Sequence, residues 1–314
     1  MVKLPQKKRR HHYVWRHYLE AWATAGKLWC IRRGGHPFHV STRNVAVETD
    51  FYRLKELTSQ DLEFVQMVIN SMENPLVRRL AERWIPMFTE AHELQRQVEA
   101  LGDVPQSVRE AFDIALNNTE EDLHARIEGD TLPLLDSLRE GQIDVLESDE
   151  SFTMFALYLA AQLLRTRGMK QATVKRLQPI AQVYEVDVDA SWGLVRTVLA
   201  TGLSYNLSGR RTLMRATILK ASTPAEFMAG DQPLFNVRGG GKEQETPPTE
   251  LELYYPLSPS TALLLDFSPA SAGVEKRVLG ETEVGAYNRL VMQEAHEQVF
   301  ASRREALEDG AGEF

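Results

Sequence analysis

Residues 152–164, Phe-Thr-Met-Phe-Ala-Leu-Tyr-Leu-Ala-Ala-Gln-Leu-Leu, constrain the fold more than any other part of the chain. Only Thr153 and Gln162 interrupt the apolar run. Placed on a helix, the run is apolar on nearly all sides, and such a helix has to be covered all round by other elements. It falls short of the roughly 18 apolar residues that a membrane crossing needs, so the expectation is the central helix of a globular core. Arg165 follows directly. A guanidinium entering such a core needs a carboxylate partner, and Glu48 and Asp231 are the candidates.

The elements around this helix are of two kinds. Leu28 to Arg33 reads as a strand, Gly34-Gly35 as a turn and His36 to Val40 as the returning strand, which is the pattern of a hairpin. A helical region follows. Thr58 and Asp61 have capping-box spacing, and Leu62, Val65, Ile69, Met72, Leu76 and Leu80 keep helical periodicity, with restarts at Asn74-Pro75 and Ile85-Pro86. Further helices are predicted over 107–128, 149–177 and 190–203. Beyond them the pattern turns to strands over 212–221, 226–237 and 251–267, with a Gly- and Pro-rich loop over 238–250 and a closing amphipathic helix over 281–307. The expectation is an α+β fold: a mixed sheet built from N-terminal and C-terminal strands, with a large central helical insertion. Residues 1–314 read as one domain, with N-terminal strands and a basic segment in 1–55, the insertion in 56–208, and strands with the closing helix in 209–314. Such long-range pairing would bring His12 near Asp231.

Composition narrows the setting. A chain of 314 residues buries a sizeable core without staples. The single Cys30 excludes an internal disulfide framework and fits a reducing cytoplasm. The basic start lacks an apolar stretch and a cleavage site, so it does not read as a secretion signal, and no membrane partner is expected. The net charge of −8 argues against a general nucleic-acid coat. The cations are nevertheless clustered: Lys7-Lys8-Arg9-Arg10-His11-His12-Tyr13-Val14-Trp15-Arg16-His17-Tyr18-Leu19 puts cations, histidines and aromatics side by side. A local basic patch on an acidic protein can steer an anion to one place; equally, it can be a solvated surface. Tyr13, Trp15, Tyr18 and Trp22 predict that this segment is anchored against the domain.

Several separated blocks resemble a bacterial family known as domain of unknown function 4238. They are His12-Tyr13-Val14 with Tyr18-Leu19, Ser41-Thr42-Arg43-Asn44-Val45-Ala46-Val47-Glu48-Thr49-Asp50-Phe51-Tyr52, Gln162-Leu163-Leu164-Arg165-Thr166, Gly230-Asp231-Gln232-Pro233, Pro256-Leu257-Ser258-Pro259, and Tyr287-Asn288. There are departures: Trp15-Arg16 stands where Pro-Gln is usual, Arg167 where Pro is usual, and Gly230 and Gln232 where Ser and Asn are usual. The resemblance implies a bacterial origin and fits defence-related roles. It names no activity.

Three groupings could carry chemistry. Histidine suits both acid–base work and coordination, but His12 and His17 are five apart, so this segment alone does not make a two-histidine helical site. Glu48 and Asp50 alternate on an extended segment and would share a face; the pair could hold a divalent cation, or Glu48 could meet an arginine while Asp50 closes a turn. Asp231-Gln232-Pro233 reads either as a ligand-bearing bend or as a plain turn. Phosphate loops, nucleophile elbows and zinc patterns are absent, and Cys30 lies in an apolar strand.

Two functions follow. In the first, a metal-assisted nucleic-acid phosphodiesterase, His12, Glu48, Arg165 and Asp231 are catalytic. Glu48 and Asp231 hold magnesium or manganese, and Arg9, Arg10, Arg16 and Gln232 contact the substrate. In the second, the same blocks build a non-catalytic module that binds nucleic acid or another anionic ligand.

Overall fold

The apolar run lies at the centre of the molecule. A computed structural model describes residues 5–222, 224–239, 250–267, 272–308 and 314, so most of the expected 238–250 loop lies outside the described residues. The chain begins with strand β1 (Arg10–His12), the short helix α1 (Arg16–Leu19), strands β2 (Lys27–Arg32), β3 (Phe38–Ser41) and β4 (Val47–Thr49). Seven helices follow: α2 (Ser59–Asn70), α3 (Pro75–Glu82), α4 (Trp84–Ala100), α5 (Gln106–Glu140), α6 (Asp149–Leu164), α7 (Arg167–Tyr184) and α8 (Val188–Gly209). Strands β5 (Arg215–Ala221), β6 (Ala229–Gly230), β7 (Phe235–Asn236), β8 (Glu252–Ser258), β9 (Thr261–Asp266) and β10 (Gly273–Leu279) come next. Helix α9 (Glu281–Glu294), strand β11 (Gln298–Ala301) and helix α10 (Arg304–Glu308) complete the order.

The fold is α+β, and the ends of the chain do share a sheet. Strand β11 lies between β2 and β6 in a four-stranded antiparallel sheet of order β3-β2-β11-β6. The mixed sheet is the other large one, β10-β5-β9-β8-β7, in which β10 runs parallel to β5 and every other pairing is antiparallel. A two-stranded ribbon, β1 with β4, sets His11 opposite Glu48.

Helix α6 buries Phe152, Phe155, Ala156, Tyr158, Leu159 and Ala160 completely. It packs between α5 and α8 and against Tyr255 of β8, with the Tyr158 and Tyr255 hydroxyls 2.6 Å apart. The basic N-terminal segment is anchored as its aromatics require. Tyr18 donates to the Pro256 carbonyl at 2.8 Å, Trp22 donates from Nε1 to the Phe227 carbonyl at 2.7 Å, and Trp15 is half-buried against Tyr158. Fully burying side chains of this size stabilises by roughly 1.5–3 kcal/mol each, which offsets part of the backbone entropy lost in ordering the segment.

Several local expectations need correction. The helix predicted over 149–177 breaks after Leu164, because Thr166 caps a new helix by accepting from the Met169 amide at 3.3 Å. The helix predicted over 281–307 stops at Glu294. Arg33 takes the Ala295 and His296 carbonyls, Asp231 takes the following three amides, and Val299 enters β11 as a buried strand residue. The strand expected over 226–237 is two short bridges, β6 and β7, either side of Asp231-Gln232-Pro233. Helix α5 runs on to Glu140, well past the predicted end at 128, and is closed by Gly141 at φ 88°. The Thr58/Asp61 capping box forms in both directions, and Asn74 caps the restart at Pro75.

Candidate functional site

Of the residues singled out in the sequence, Arg165, which caps the C-terminal end of α6, carries a buried charge, and His12 alone of the others reaches it. Arg165 is 2% exposed. Its Nε donates to the Tyr52 hydroxyl at 2.9 Å, and its two terminal nitrogens donate to the Glu128 carboxylate and the His12 carbonyl. The expected partner is therefore corrected: the ion pair is with Glu128 of α5, and neither Glu48 nor Asp231 contacts the guanidinium. Burial opposes the charge on Arg165, but Tyr52 and Glu128 outweigh it and raise its pKa. Two guanidiniums approach Tyr52, Arg165 at 5.6 Å and Arg196 of α8 at 4.6 Å from its ring centroid, and the His11 ring stacks on it at 5.4 Å. Arg196 in turn pairs with the buried Glu120, which it holds down at about 2 against the upward push of burial.

This network is fed from one face of α5, where Asn117, Glu120, Glu121, His124 and Glu128 recur at helical spacing. Several of its polar atoms have no hydrogen bond. Both ring nitrogens of the buried His124 lack one, Nε2 standing 3.6 Å from Glu120. Burial, with Arg165 nearby, lowers His124 to about 3. Glu121 Oε2 is unpartnered and burial pushes that carboxyl up to about 7. Gln162, beside the Glu128 carboxyl, makes no hydrogen bond with either polar atom. Perturbed and unsatisfied groups of this kind gather at functional sites more often than elsewhere. Periodicity could have found this stripe, since charged residues three and four apart on a long helix mark one face.

The other candidates divide. His12 supplies a backbone carbonyl to Arg165; its own Nε2 is buried without a partner, and burial together with Arg16, Arg165 and Arg10 lowers the ring to about 4. His11 is fully satisfied, its Nδ1 accepting from the Tyr52 amide at 2.8 Å and its Nε2 bonded to the Lys8 carbonyl. Asp231 is 1% exposed and accepts the amides of His296, Glu297 and Gln298 at 2.6, 2.8 and 3.1 Å. Burial raises its pKa and those three bonds work against the rise. Gln232 donates to the Leu163 and Leu234 carbonyls and accepts from Thr166, tying the end of α6 to the bend before β7. Glu48 is half exposed and 3.6 Å from Arg167, which also meets Glu297 at 2.9 Å. Glu48 and Asp231 are thus connected through Arg167 and Glu297, and do not face a common ion position. Asp50 leaves the strand in the left-handed region, φ 56°, so strand alternation does not hold there, and its carboxylate pairs with Arg9 at 2.9 Å. Arg10 donates to the Arg43 carbonyl and to Asn44, and Arg16 pairs with Glu20. Among the described residues no group of three or more His, Cys, Asp or Glu side chains is arranged to hold a metal ion.

Beside the network a cavity of about 490 Å³ opens to the surface. Its lining runs from the exposed Glu48, Lys55 and Glu56, through the half-buried Asp50, Phe51 and Arg53, to the buried Phe88, Trp192, Glu120 and Arg196. The absence of a side chain at Gly193 is what lets Glu120 approach α8: a Cβ there would lie 2.8 Å from Glu120 Oε2 and 3.0 Å from the Phe88 ring.

Among the described residues no helix is long and apolar enough to cross a membrane. No curated protein and no solved structure matches the chain. The family described as "Protein of unknown function (DUF4238)" matches over residues 10–187 and 207–305, which include every motif residue that meets around Arg165. The chain belongs to the DUF4238 family.

Proposed function

We propose that the chain is a non-catalytic binding module that takes a small polar ligand in the cavity floored by Glu120 and Arg196. The observation that carries this reading is the continuity between that cavity and the buried charge network: Arg196 lines the cavity and lies 4.6 Å from the Tyr52 ring centroid, and the Tyr52 hydroxyl accepts from Arg165. Pockets with a few convergent polar groups among aromatic walls are the usual form of a ligand site. The N-terminal cations favour this over the binding of a polyanion. Lys7 pairs with Asp113, Lys8 with Asp122, Arg9 with Asp50 and Arg16 with Glu20, so a phosphate backbone would have to displace protein carboxylates. The free, buried Cys30 fits a reducing compartment, and we place the module in the cytoplasm.

The test is a thermal-shift and calorimetric screen of the full chain against small polar compounds, repeated on Ala190→Trp. Ala190 lines the cavity and is half-buried, so an indole there takes up part of the open volume. At least one compound is expected to stabilise the native protein and fail with the variant; equal responses from both would defeat the reading.

A metal-assisted nucleic-acid phosphodiesterase is the second reading. It is favoured by one observation: Glu48 and Asp50, two motif carboxylates, line this same cavity. RNA or DNA cleaved only with added magnesium or manganese, and spared by Glu48→Gln, would support it over the first. Glu48 is exposed enough for that change to spare the fold.

A further inference from the structure

We propose that β10 is the edge on which a second copy of this chain docks, the two strands pairing antiparallel about a two-fold axis at Lys276 and joining two β10-β5-β9-β8-β7 sheets into one. Strand β10 is an open edge. It pairs with β5 over all seven of its residues, without a bulge or a proline, and among the described residues nothing pairs with its other side. The other outer strands of the two large sheets are shorter: β3 has four residues, β6 and β7 two each. Short strands, bulges, prolines and lysines are what keep a sheet edge from recruiting another chain; of these, β10 carries only Lys276. It is also uncovered on both faces. Gly273 to Val278 are all exposed, Val274 by 50% and Val278 by 74%, whereas Ala216 to Leu219 of the neighbouring β5 are buried.

Charge complementarity selects the occupant. Val274-Glu275-Lys276-Arg277-Val278 is its own complement when reversed. A two-fold interface uses the same patch on both copies, so each unlike pair occurs twice. Antiparallel pairing centred on Lys276 therefore sets Glu275 opposite Arg277 twice, and Val274 opposite Val278 twice. Opposite charges and β-branched residues facing each other across neighbouring strands stabilise a sheet, and like charges destabilise it. Moving the axis by one residue loses this match. Centred on Glu275, that carboxylate faces itself and Arg277 faces Gly273; centred on Arg277, the guanidinium faces itself and Glu275 faces Leu279. The axis at Lys276 leaves one unfavourable pair, Lys276 with its own copy, whose long flexible stems let the two ammonium groups diverge into water. Arg277 also meets Glu283 of α9 at 3.3 Å, an exposed pair that leaves further guanidinium donors for Glu275. One added strand pairing is a small interface, so the dimer is weak and reversible.

Sedimentation velocity of the full chain, over a concentration series from micromolar to millimolar, tests this. The native protein should pass from monomer to dimer. Glu275→Arg and Arg277→Glu each set like charges opposite one another twice, so either variant alone should dimerise about tenfold more weakly or worse. Mixed in equal amounts, the two variants oppose every cation with an anion at these positions, and the mixture should dimerise at least as tightly as the native chain. Both side chains are exposed, so the circular dichroism and melting temperature of each variant should stay close to those of the native protein. Lys276→Thr removes the one repulsive pair and should tighten the dimer a few-fold. A native protein that is monomeric throughout the series overturns the inference. So does a dimer that the two single variants leave intact, which places the interface elsewhere. No recovery in the mixture, or no tightening in Lys276→Thr, overturns the pairing centred on Lys276.

Discussion

Replacing Arg165 by Met removes a guanidinium while keeping an unbranched apolar stem in its place. The change deletes donors to Tyr52, Glu128 and the His12 carbonyl, and leaves the 6%-exposed Glu128 as a buried carboxylate without a cation. Breaking one side of a buried pair costs about 3–5 kcal/mol. With an unfolding entropy near 2 cal/mol/K per residue, that corresponds to a fall of about 5–8 °C in melting temperature for a chain of this length. The loss should also depend on pH. Burial already raises Glu128 above its ordinary value even with Arg165 present; without the arginine it rises further. The resulting penalty is present above the unfolded carboxyl value and relieved as acidification protonates the folded one. Urea unfolding at neutral and mildly acidic pH, for Arg165→Met, Glu128→Gln and the double variant, tests this. The double variant should regain most of the loss, since no unpaired charge remains. Additive losses in the double variant, or an Arg165→Met penalty that does not shrink on acidification, would refute the placement of Glu128 as the partner.

Three more outcomes are expected. Asp231→Asn should destabilise by about 2–4 kcal/mol, because an amide N–H₂ would face backbone N–H groups that the carboxylate now accepts; a melting temperature equal to wild type would contradict its role in turning the chain into β11. Glu121 holds its proton to about 7 when folded but to an ordinary 4.5 when unfolded, so native stability falls as pH rises through that window. Glu121→Gln should match wild type below the window and exceed it above by up to about 3 kcal/mol, and a difference flat across pH would rule this out. Trp22→Phe should cost about 1–3 kcal/mol by leaving the Phe227 carbonyl without its donor, read from denaturant midpoints.

The architecture was legible where one signal was strong enough to stand alone. The apolar run of α6 demanded a central position, and alternation in β2 and β3 gave a hairpin. What stayed hidden depended on partners far along the chain. Nothing local ends a helix at Glu294; the amides beyond it are captured by Asp231, some sixty residues earlier. The short β1 and β4 strands, Arg-His-His and Val-Glu-Thr, carry no apolar alternation and exist because each pairs with the other. Of the site residues, Arg165 was identifiable as a charge in an apolar setting, but its partner was not. Local periodicity weakens at Glu128, yet the helix continues for another twelve residues. The cavity floor required knowing that Glu120 and Gly193 touch, and no spacing in sequence encodes that contact.

The cluster of Arg165, Glu128, Tyr52, Arg196 and Glu120 has a consequence for how the protein reaches its native state. Its members come from the N-terminal segment, from α5, from the end of α6 and from α8, separated by as much as a hundred residues and more. A helical block that condensed first would bury two arginines and two glutamates lacking the Tyr52 ring, its hydroxyl and the His12 carbonyl. An N-terminal segment that docked first would have no guanidinium to receive. Neither half gains until the other arrives, so the charges act as a checkpoint on assembly: collapse with the wrong neighbours is penalised, and the barrier is crossed only when distant parts of the chain meet. Contacts of such long sequence separation also predict slow folding, and refolding rates in Tyr52→Phe, which loses the hydroxyl but keeps the ring, should show how much of that meeting precedes the transition state.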